Sequence, residues 1–172
     1  MGWYGLALVL VVLDQYTKAM ATNTMAYGEQ IVVTPFFNWT LLHNTGAAFS
    51  FLSDAGGWQN GFFCTVAAAV SVYIVYWLYQ TPRSAPWQGL ALSLVLGGAI
   101  GNLYDRLMLG YVVDFIQVHY QQYYWPAFNV ADSAICVGAF ILILSSFFNQ
   151  ELNKELPTEL PTKSAKDSLK DE

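Results

Sequence analysis

The chain has 172 residues, a length that suggests one domain or at most two. Hydrophobic residues make up 55% of the chain and charged residues only 11%, whereas a soluble globular domain typically carries about 25% charged residues. So few charges cannot cover a soluble surface. The formal net charge of -5 comes without a basic patch, which argues against nucleic acid as a partner. The composition therefore indicates a membrane protein.

Four apolar segments predict transmembrane helices. The middle two lie in stretches without any charge, residues 55–82 and 84–104, and each stretch reaches the roughly 20 residues that a helix needs to cross a bilayer. The first segment has no basic residues before it and carries Asp14 and Lys18 near its end, so we expect a retained helix rather than a cleaved signal peptide. The predicted helices cover about residues 3–20, 61–80, 86–107 and 132–149.

The connections between these helices differ in length. The turn at about 81–85 is short, whereas about 21–60 and 108–131 are long and rich in aromatic residues. In the first long connection, IVV and FFNWTLL predict one or two short strands. We expect most of the aromatic residues to form a belt at the lipid headgroups and a minority to line a groove. These residues are Trp39, Trp58, Tyr111, Tyr120, Tyr123, Tyr124 and Trp125.

The C-terminal segment, residues 151–172, contains a doubled ELPT and many alternating charges, which predicts a disordered, solvated tail. The chain thus divides into a membrane domain, residues 1–150, and this tail. Arg83 and the four lysines of the tail share one side of the membrane, whereas Lys18 and Arg106 lie on the other. The positive-inside rule then places both termini in the cytoplasm and the long connections outside.

Four aspartates come to the outer side in this topology: Asp14, Asp105, Asp114 and Asp132. Asp114 stands in the apolar context YVVDFI, and Asp132 stands at the start of the fourth helix, where it could be an N-cap. Two carboxylates held close together share a proton, so that one can activate water while the other protonates a leaving nitrogen. Such a pair hydrolyses peptide bonds without a metal.

Other hydrolytic chemistries have little support. The sequence has no HExxH and no GxSxG, and neither histidine, His43 or His119, has a carboxylate at metal-ligand spacing. We expect the histidines to be loop or interface residues. Cys64 and Cys136 both lie in apolar segments, so we expect two buried thiols and no disulfide.

Charged residues near the other helix ends have two interpretations. Asp14 and Lys18 are four residues apart and could pair on one helix face, or Lys18 could simply reach for the membrane surface. Asp105 and Arg106, where the third helix leaves the bilayer, could be ordinary interfacial charges. The spacing of Gly97 and Gly101 predicts a face for close helix packing.

Two other functions are compatible with parts of this pattern. A small transporter or proton relay could use Asp14, Asp114 and Asp132, and an assembly factor could pack through its small residues. A relay would be expected to place acids at several depths, whereas here they cluster at one side and the second helix has none. An assembly factor would not need two aspartates in apolar contexts.

Five sequence blocks carry a resemblance to a known family. In order they are DQYTK from residue 14, HNTGAAFSFL from 43, GGAIGNLYDRL from 97, VVDFI from 112 and FNVADSAI from 128. Together they resemble the lipoprotein signal peptidases, also called signal peptidase II. The blocks span nearly the whole chain up to the fourth helix, and it is their combination and order that make the resemblance specific.

The resemblance implies an α-helical integral membrane protein with four transmembrane helices and a small extracytoplasmic β-rich cradle. It implies an aspartyl endopeptidase of the bacterial inner membrane that needs no cofactor. Its substrate would be a diacylglyceryl-modified prolipoprotein, cut just before the lipidated lipobox cysteine. Membrane lipids would surround the protein, cyclic peptides such as globomycin would inhibit it, and a monomer would suffice.

The resemblance also assigns roles to residues. Asp114 and Asp132 would be the catalytic pair. Asparagines beside such a pair can hold its carboxylates without adding charge, Lys18 can neutralise Asp14, and Arg106 could hold a loop carbonyl or a lipid phosphate. The residues expected to bind substrate or to position the pair are Asp14, Lys18, Asn44, Gly46, Asn102, Arg106, Asn129 and Ala131.

Overall fold

A computed structural model describes residues 2–46 and 57–155, with side chains up to residue 147. This part of the chain forms a bundle of four long helices with a small sheet at one end. The helices are α1 (Gly2–Thr24), α2 (Trp58–Gln80), α3 (Pro86–Met108) and α4 (Val130–Glu155). All four predicted helices are present, and each is somewhat longer than predicted. Residues 151–155 of the predicted disordered tail belong to α4 instead, and the rest of the predicted tail lies outside the described residues.

Helix α3 is the centre of the bundle and packs against the other three helices. Its glycines allow this close approach. A Cβ atom at Gly98 would collide with the carbonyl oxygen of Ala131 in α4, and one at Gly101 would lie 2.6 Å from Oδ2 of Asp14 in α1. Gly97 faces α1 in the same way. The predicted small-residue face is therefore confirmed, and Gly98 extends it toward α4.

Two helices, residues 58–80 and 130–147, are long and apolar enough to cross a membrane. Only 17% of the residues in either apolar window are buried within the protein, so these helices present an apolar surface outward. Cys136 lies on this exposed surface of α4 rather than in the interior, which corrects one expectation for the cysteines. Helices α1 and α3 carry the buried charges described below.

The sheet lies at the end of the bundle where α1 and α3 end and where α2 and α4 begin. Its four antiparallel strands follow the order β1-β2-β3-β4. A bridge between Ile116 and Phe128 ties the segment before α4 to the sheet. The strands are β1 (Gln30–Thr34), β2 (Phe37–Asn44), β3 (Val112–Tyr120) and β4 (Tyr123–Tyr124).

The first two strands coincide with the predicted segments, whereas β3 and β4 fall in a connection for which no strand was located. Trp39 and Tyr111 are half-buried and pack beside the core of the sheet, so part of each ring contacts protein. That core is apolar and joins the sheet to the end of α1. Its buried members are Ala21, Met25, Leu41, Val113 and Phe115.

Candidate active site

Asp114 lies on β3 and is 3% exposed. It pairs across the sheet with Leu42, so Asn44, two residues further along β2, lies on the same face. Asn44 donates an amide hydrogen bond to Oδ2 of Asp114 at 3.0 Å. Asn129 donates another to Oδ1 at 2.7 Å. Each oxygen of this carboxylate therefore receives one N–H.

Asp132 lies in the first turn of α4, where it belongs to a reciprocal capping arrangement with Asn129. Oδ1 of Asn129 accepts the backbone N–H of Asp132 at 2.9 Å, and Oδ2 of Asp132 accepts the backbone N–H of Asn129 at 3.3 Å. The N-cap is thus Asn129, while Asp132 is the third residue inside the helix. The other oxygen of Asp132 accepts an amide hydrogen bond from Asn102 at 2.7 Å.

The structure brings the two aspartates together around Asn129, which contacts both. The orientation of the amides of Asn44, Asn102 and Asn129 is fixed because each amide oxygen accepts a hydrogen bond from a group that can only donate. For Asn129 this group is the backbone N–H of Asp132. The oxygen of Asn102 accepts from Nζ of Lys18 at 3.0 Å, and the oxygen of Asn44 accepts from the backbone N–H of Gly46 at 3.0 Å. Each amide nitrogen must therefore face a carboxylate.

Asp114 is held in conditions that favour its protonated form. Burial, and secondarily the charge of Asp132, raise the pKa of Asp114 from 3.8 to about 7, although the hydrogen bonds from Asn44 and Asn129 oppose this shift. Asp114 therefore exchanges a proton near neutral pH. A pair of adjacent carboxyl groups with one such proton can act as acid and base in the same reaction.

A buried ionic cluster lies beside the pair, between α1 and α3. Nζ of Lys18 is 2.8 Å from Asp14 and 2.9 Å from Asp105. Lys18 is 3% exposed and Asp14 is fully buried, so the lysine pairs inside the protein rather than reaching for the membrane surface. Ala131 donates its backbone N–H to Asp14 at 2.9 Å.

Asp105 is not an ordinary interfacial charge, because it is 1% exposed and bonded on Oδ2 by Lys18 and Val113 and on Oδ1 by Gln15. Gln15 donates to it at 2.8 Å. Sequence reasoning did not assign either residue to the site. A signal was available for Asp105, since it follows Asn102 by three residues and so shares a helix face with it.

Arg106 reaches the connection after β2. Its Nη2 donates to the carbonyl oxygen of Gly46 at 3.0 Å, which matches the first of the two contacts that the sequence left open. The guanidinium also lies over the ring of Phe63 in α2, 5.4 Å from its centroid. Arg106 therefore links α3 to α2 and to the segment that carries Asn44.

A pocket of about 420 Å³ opens beside Asp114 on the sheet. Tyr124 and Trp125 line it, so part of the aromatic set does border a groove. A larger pocket, about 810 Å³, lies at the opposite end of the bundle, between the start of α3 and the second half of α4, far from the pair. The smaller pocket is lined by Tyr27, Leu42, His43, Asn44, Asp114, Gln117, Tyr124, Trp125, Pro126 and Ala127.

The two histidines are stacked on aromatic rings. His43 lies 3.9 Å from the ring centroid of Tyr111, and partial burial lowers its pKa. His119 stacks on Tyr124 at 4.9 Å. Among the residues that the structure describes, no group of three potential ligands could hold a metal ion.

Two solved bacterial membrane enzymes, both determined by the in meso method, have the same fold. The first superposes with a TM-score of 0.81 and 31% sequence identity, over 92% of this chain and 94% of the other. The second has a TM-score of 0.73 and 33% identity, over 84% and 91%. Together with the exposed apolar helices and the carboxyl pair around Asn129, these likenesses define the chain as a membrane-bound enzyme.

Sequence comparisons identify the family. The sequence model of signal peptidase (SPase) II matches residues 6–148. Lipoprotein signal peptidases from Teredinibacter turnerae and Pseudomonas putida are 53% and 55% identical, over 87% and 86% of this chain and 89% and 87% of their own lengths. One from Acinetobacter baumannii is 55% identical over 85% of this chain and 83% of its own length. The chain belongs to the signal peptidase II family and is a protease.

Proposed function

We propose that this protein is an aspartyl endopeptidase that removes signal peptides from diacylglyceryl-modified prolipoproteins and cuts just before the lipidated cysteine. Asp114 and Asp132 are its catalytic pair. The observation that carries this assignment is the bridge made by Asn129, which bonds the buried carboxyl group of Asp114 through its side chain and the half-buried carboxyl group of Asp132 through its backbone N–H. The relatives named above carry the corresponding substrate in their name.

The reaction needs one proton on the pair. The ionised aspartate takes a proton from water, and the water oxygen attacks the carbonyl carbon before the cysteine. The protonated aspartate donates to the carbonyl oxygen, which gives a gem-diol. The nitrogen then takes the proton that the first aspartate received from water, a hydroxyl of the gem-diol returns a proton to the second aspartate, and the C–N bond breaks to leave a carboxylic acid and a free amine. Asp114, with its pKa of about 7, is suited to carry the shared proton at neutral pH.

The other site residues position this pair and its loops. Asn44, Asn102 and Asn129 orient the carboxyl groups without adding charge. Arg106 holds the carbonyl of Gly46 and so fixes the segment that carries Asn44. Asp14, Lys18 and Ala131 form the neighbouring buried contacts.

All four helices cross the bacterial cytoplasmic membrane in the arrangement that we propose. The charge distribution supports cytoplasmic termini, which places the sheet and the catalytic pair at the outer surface. Residues 1–150 form the protease domain and residues 151–172 a cytoplasmic tail. The diacylglyceryl group of the substrate remains among the membrane lipids while the peptide reaches the pair. The protein acts as a monomer.

A proton relay through Asp14, Asp114 and Asp132 is less well supported. Asp14 is fully buried, paired with Lys18 and bonded to Ala131, so its oxygens are already engaged. Inhibition by globomycin follows from the proposed site, since a cyclic peptide bound at the pair would exclude the substrate.

The test is cleavage of a diacylglyceryl-modified prolipoprotein by the purified protein in detergent. We expect Asp114→Asn and Asp132→Asn each to lose roughly a thousandfold or more in kcat, because general acid–base catalysis supplies about 10²–10⁴-fold per group. Glu29→Gln, a carboxylate-to-amide change at an exposed position before β1, is the matched control and should cleave normally. A folded Asp variant with near-normal turnover would remove that residue from the mechanism.

A further inference from the structure

The ionic cluster beside the catalytic pair has a symmetry that its sequence positions do not reveal. Lys18 lies between Asp14 and Asp105. Asp14 accepts the backbone N–H of Ala131 at 2.9 Å, and Asp105 accepts the backbone N–H of Val113 at 3.1 Å. Ala131 is the residue immediately before Asp132, and Val113 is the residue immediately before Asp114.

We propose that Asp105 is a positioning residue that, together with Asp14 and Lys18, fixes the separation of the two catalytic carboxyl groups. We call these three residues the clamp. One carboxylate of the clamp holds the backbone of α4 next to Asp132, and the other holds the backbone of β3 next to Asp114. This inference rests on the proposed function, since it assigns a task to the clamp only if the pair is catalytic.

Lys18 makes the clamp rigid because all of its donors are used. An ammonium group has three N–H donors. Those of Lys18 go to Asp14, to Asp105 and to the amide oxygen of Asn102, at 2.8, 2.9 and 3.0 Å. Asn102 in turn donates to Asp132. The lysine therefore also controls the side chain of one catalytic residue through a single amide.

Gln15 completes the coordination of Asp105. Its amide nitrogen lies 2.8 Å from Oδ1 of Asp105, 3.2 Å from Asp14 and 3.2 Å from the carbonyl oxygen of Gly101. Both oxygens of Asp105 are thus occupied, Oδ1 by Gln15 and Oδ2 by Lys18 and Val113. With its oxygens engaged from α1 and β3, the carboxylate has little freedom to move.

The separation matters because the pair works by sharing a proton. Carboxyl groups that move apart repel each other less, so their two apparent pKa values approach one another. The charged groups around the pair are Lys18 and Asp14 from α1 and Asp105 and Arg106 from α3, while β2 contributes the neutral amide of Asn44. A loosened clamp should therefore change the shape of the pH–rate profile and not only its height.

The experiment measures kcat, KM and the pH–rate profile of Asp105→Asn with a diacylglyceryl-modified prolipoprotein. An amide keeps the shape of the side chain but removes the ionic bond to Lys18. We expect kcat to fall roughly 10–100-fold with KM within about twofold, since a misplacement near 1 Å costs about 10²-fold. The two limbs of the bell-shaped profile should move toward each other.

A second variant keeps the test decisive if Asp105→Asn does not fold. Gln15→Met replaces a half-buried amide by a side chain of similar length. It should also move the two limbs of the pH–rate profile toward each other, by a smaller amount. Thr22→Val is the control. Thr22 lies one turn after Lys18 on α1, and its hydroxyl donates to the backbone carbonyl of Lys18 within the same helix, so its removal should leave the pH–rate profile unchanged.

Two results would overturn the proposal, and they are distinguishable. In the first, the wild-type protein cleaves, and the folded variants have a lower kcat but keep both limbs of the pH–rate profile at the same pH values. The clamp would then be a stabilising contact without a positioning task. If the wild-type protein does not cleave the lipidated substrate, the proposed function fails and the clamp fails with it.

Discussion

At the scale of single residues, Asn129 shows how a neutral side chain can organise two acids. Its side-chain nitrogen donates to the carboxylate of Asp114, and its side-chain oxygen accepts the backbone N–H of Asp132. Its own backbone N–H donates to the carboxylate of Asp132. A lysine or arginine in this place would pair with the carboxylates and hold both in their ionised form. An amide orients them and leaves a proton free to move.

The pKa of Asp114 predicts how its contribution to stability depends on pH. The folded protein binds this proton more tightly than the unfolded chain, because the pKa rises from 3.8 to about 7 on folding. The contribution of Asp114 to the free energy of unfolding is thus full below about pH 4 and is lost as the pH rises through about 7. Asp114→Asn has no proton to lose.

We therefore expect the thermal midpoint of Asp114→Asn, relative to the wild type, to rise by several degrees between about pH 5 and about pH 8. Thermal unfolding of both proteins in detergent measures this difference, with Glu29→Gln as the exposed control. A constant difference across this range would mean that Asp114 titrates alike in the folded and unfolded protein.

Some residues of the candidate site can be predicted from the sequence and others cannot. The sequence predicts Asp114 and Asp132 as the pair because a carboxylate in an apolar context is costly and so indicates a function. The asparagines entered through the family resemblance. Asp105 was missed as a site residue because its position at a helix end is also typical of a solvated charge, and only the burial against α1 and β3 separates the two cases.

At the scale of secondary-structure elements, the packing of α3 against α4 decides where Asp132 lies. Gly98 faces the carbonyl oxygen of Ala131, the residue before Asp132. A methyl group there forces the two helices apart. We expect Gly98→Ala to lower the free energy of unfolding by about 1–3 kcal/mol and to reduce kcat more strongly than its loss of folded protein explains.

Gly61→Ala is the matched control for this prediction, since a Cβ atom at Gly61 in α2 meets nothing within 4 Å. Alanine favours a helix over glycine by up to about 1 kcal/mol, so this variant should be as stable as the wild type or slightly more stable. Thermal unfolding and cleavage rates for both variants check the pair. Equal stability of the two variants would show that α3 and α4 can separate without cost.

The sequence predicts the first two strands of the sheet but not the third. IVV and FFNWTLL are rich in β-branched and aromatic residues, and β1 and β2 form there. VVDFIQVHY, which forms β3, has a similar composition but is interrupted by an aspartate, so its strand is not predicted from the sequence. Two polar residues of β3, Asp114 and Gln117, line the pocket and interrupt the apolar pattern that is typical of a strand.

At the scale of the whole molecule, the proposed topology makes a prediction about access. The turn at residues 81–85 and the tip of the sheet lie at opposite ends of the bundle. In a protein with Cys64→Ala and Cys136→Ala, we expect an impermeant maleimide to label Tyr120→Cys in intact spheroplasts. It should label Ser84→Cys only after the membrane is opened. Both positions are exposed.

Labelling of Ser84→Cys in intact spheroplasts would reverse the topology and place the catalytic pair in the cytoplasm. Apolar segments predicted the four helices, and two of these helices are long and apolar enough to cross a bilayer. The burial of the charged residues of α1 and α3 within the bundle could not be predicted from hydropathy. It depends on which helix faces meet, and that is set by the glycines of α3.

The residues around the pair are far apart in the chain, from Lys18 in α1 to Asp132 in α4, with β2, α3 and β3 between them. A nascent polypeptide is made from its N-terminus, so α4 is the last of these helices to leave the ribosome. Until then the chain carries Asp114 but neither Asn129 nor Asp132. With Asp114 and Asp132 as the proposed catalytic pair, the chain would therefore stay inactive throughout its own synthesis and gain activity only once α4 is inserted.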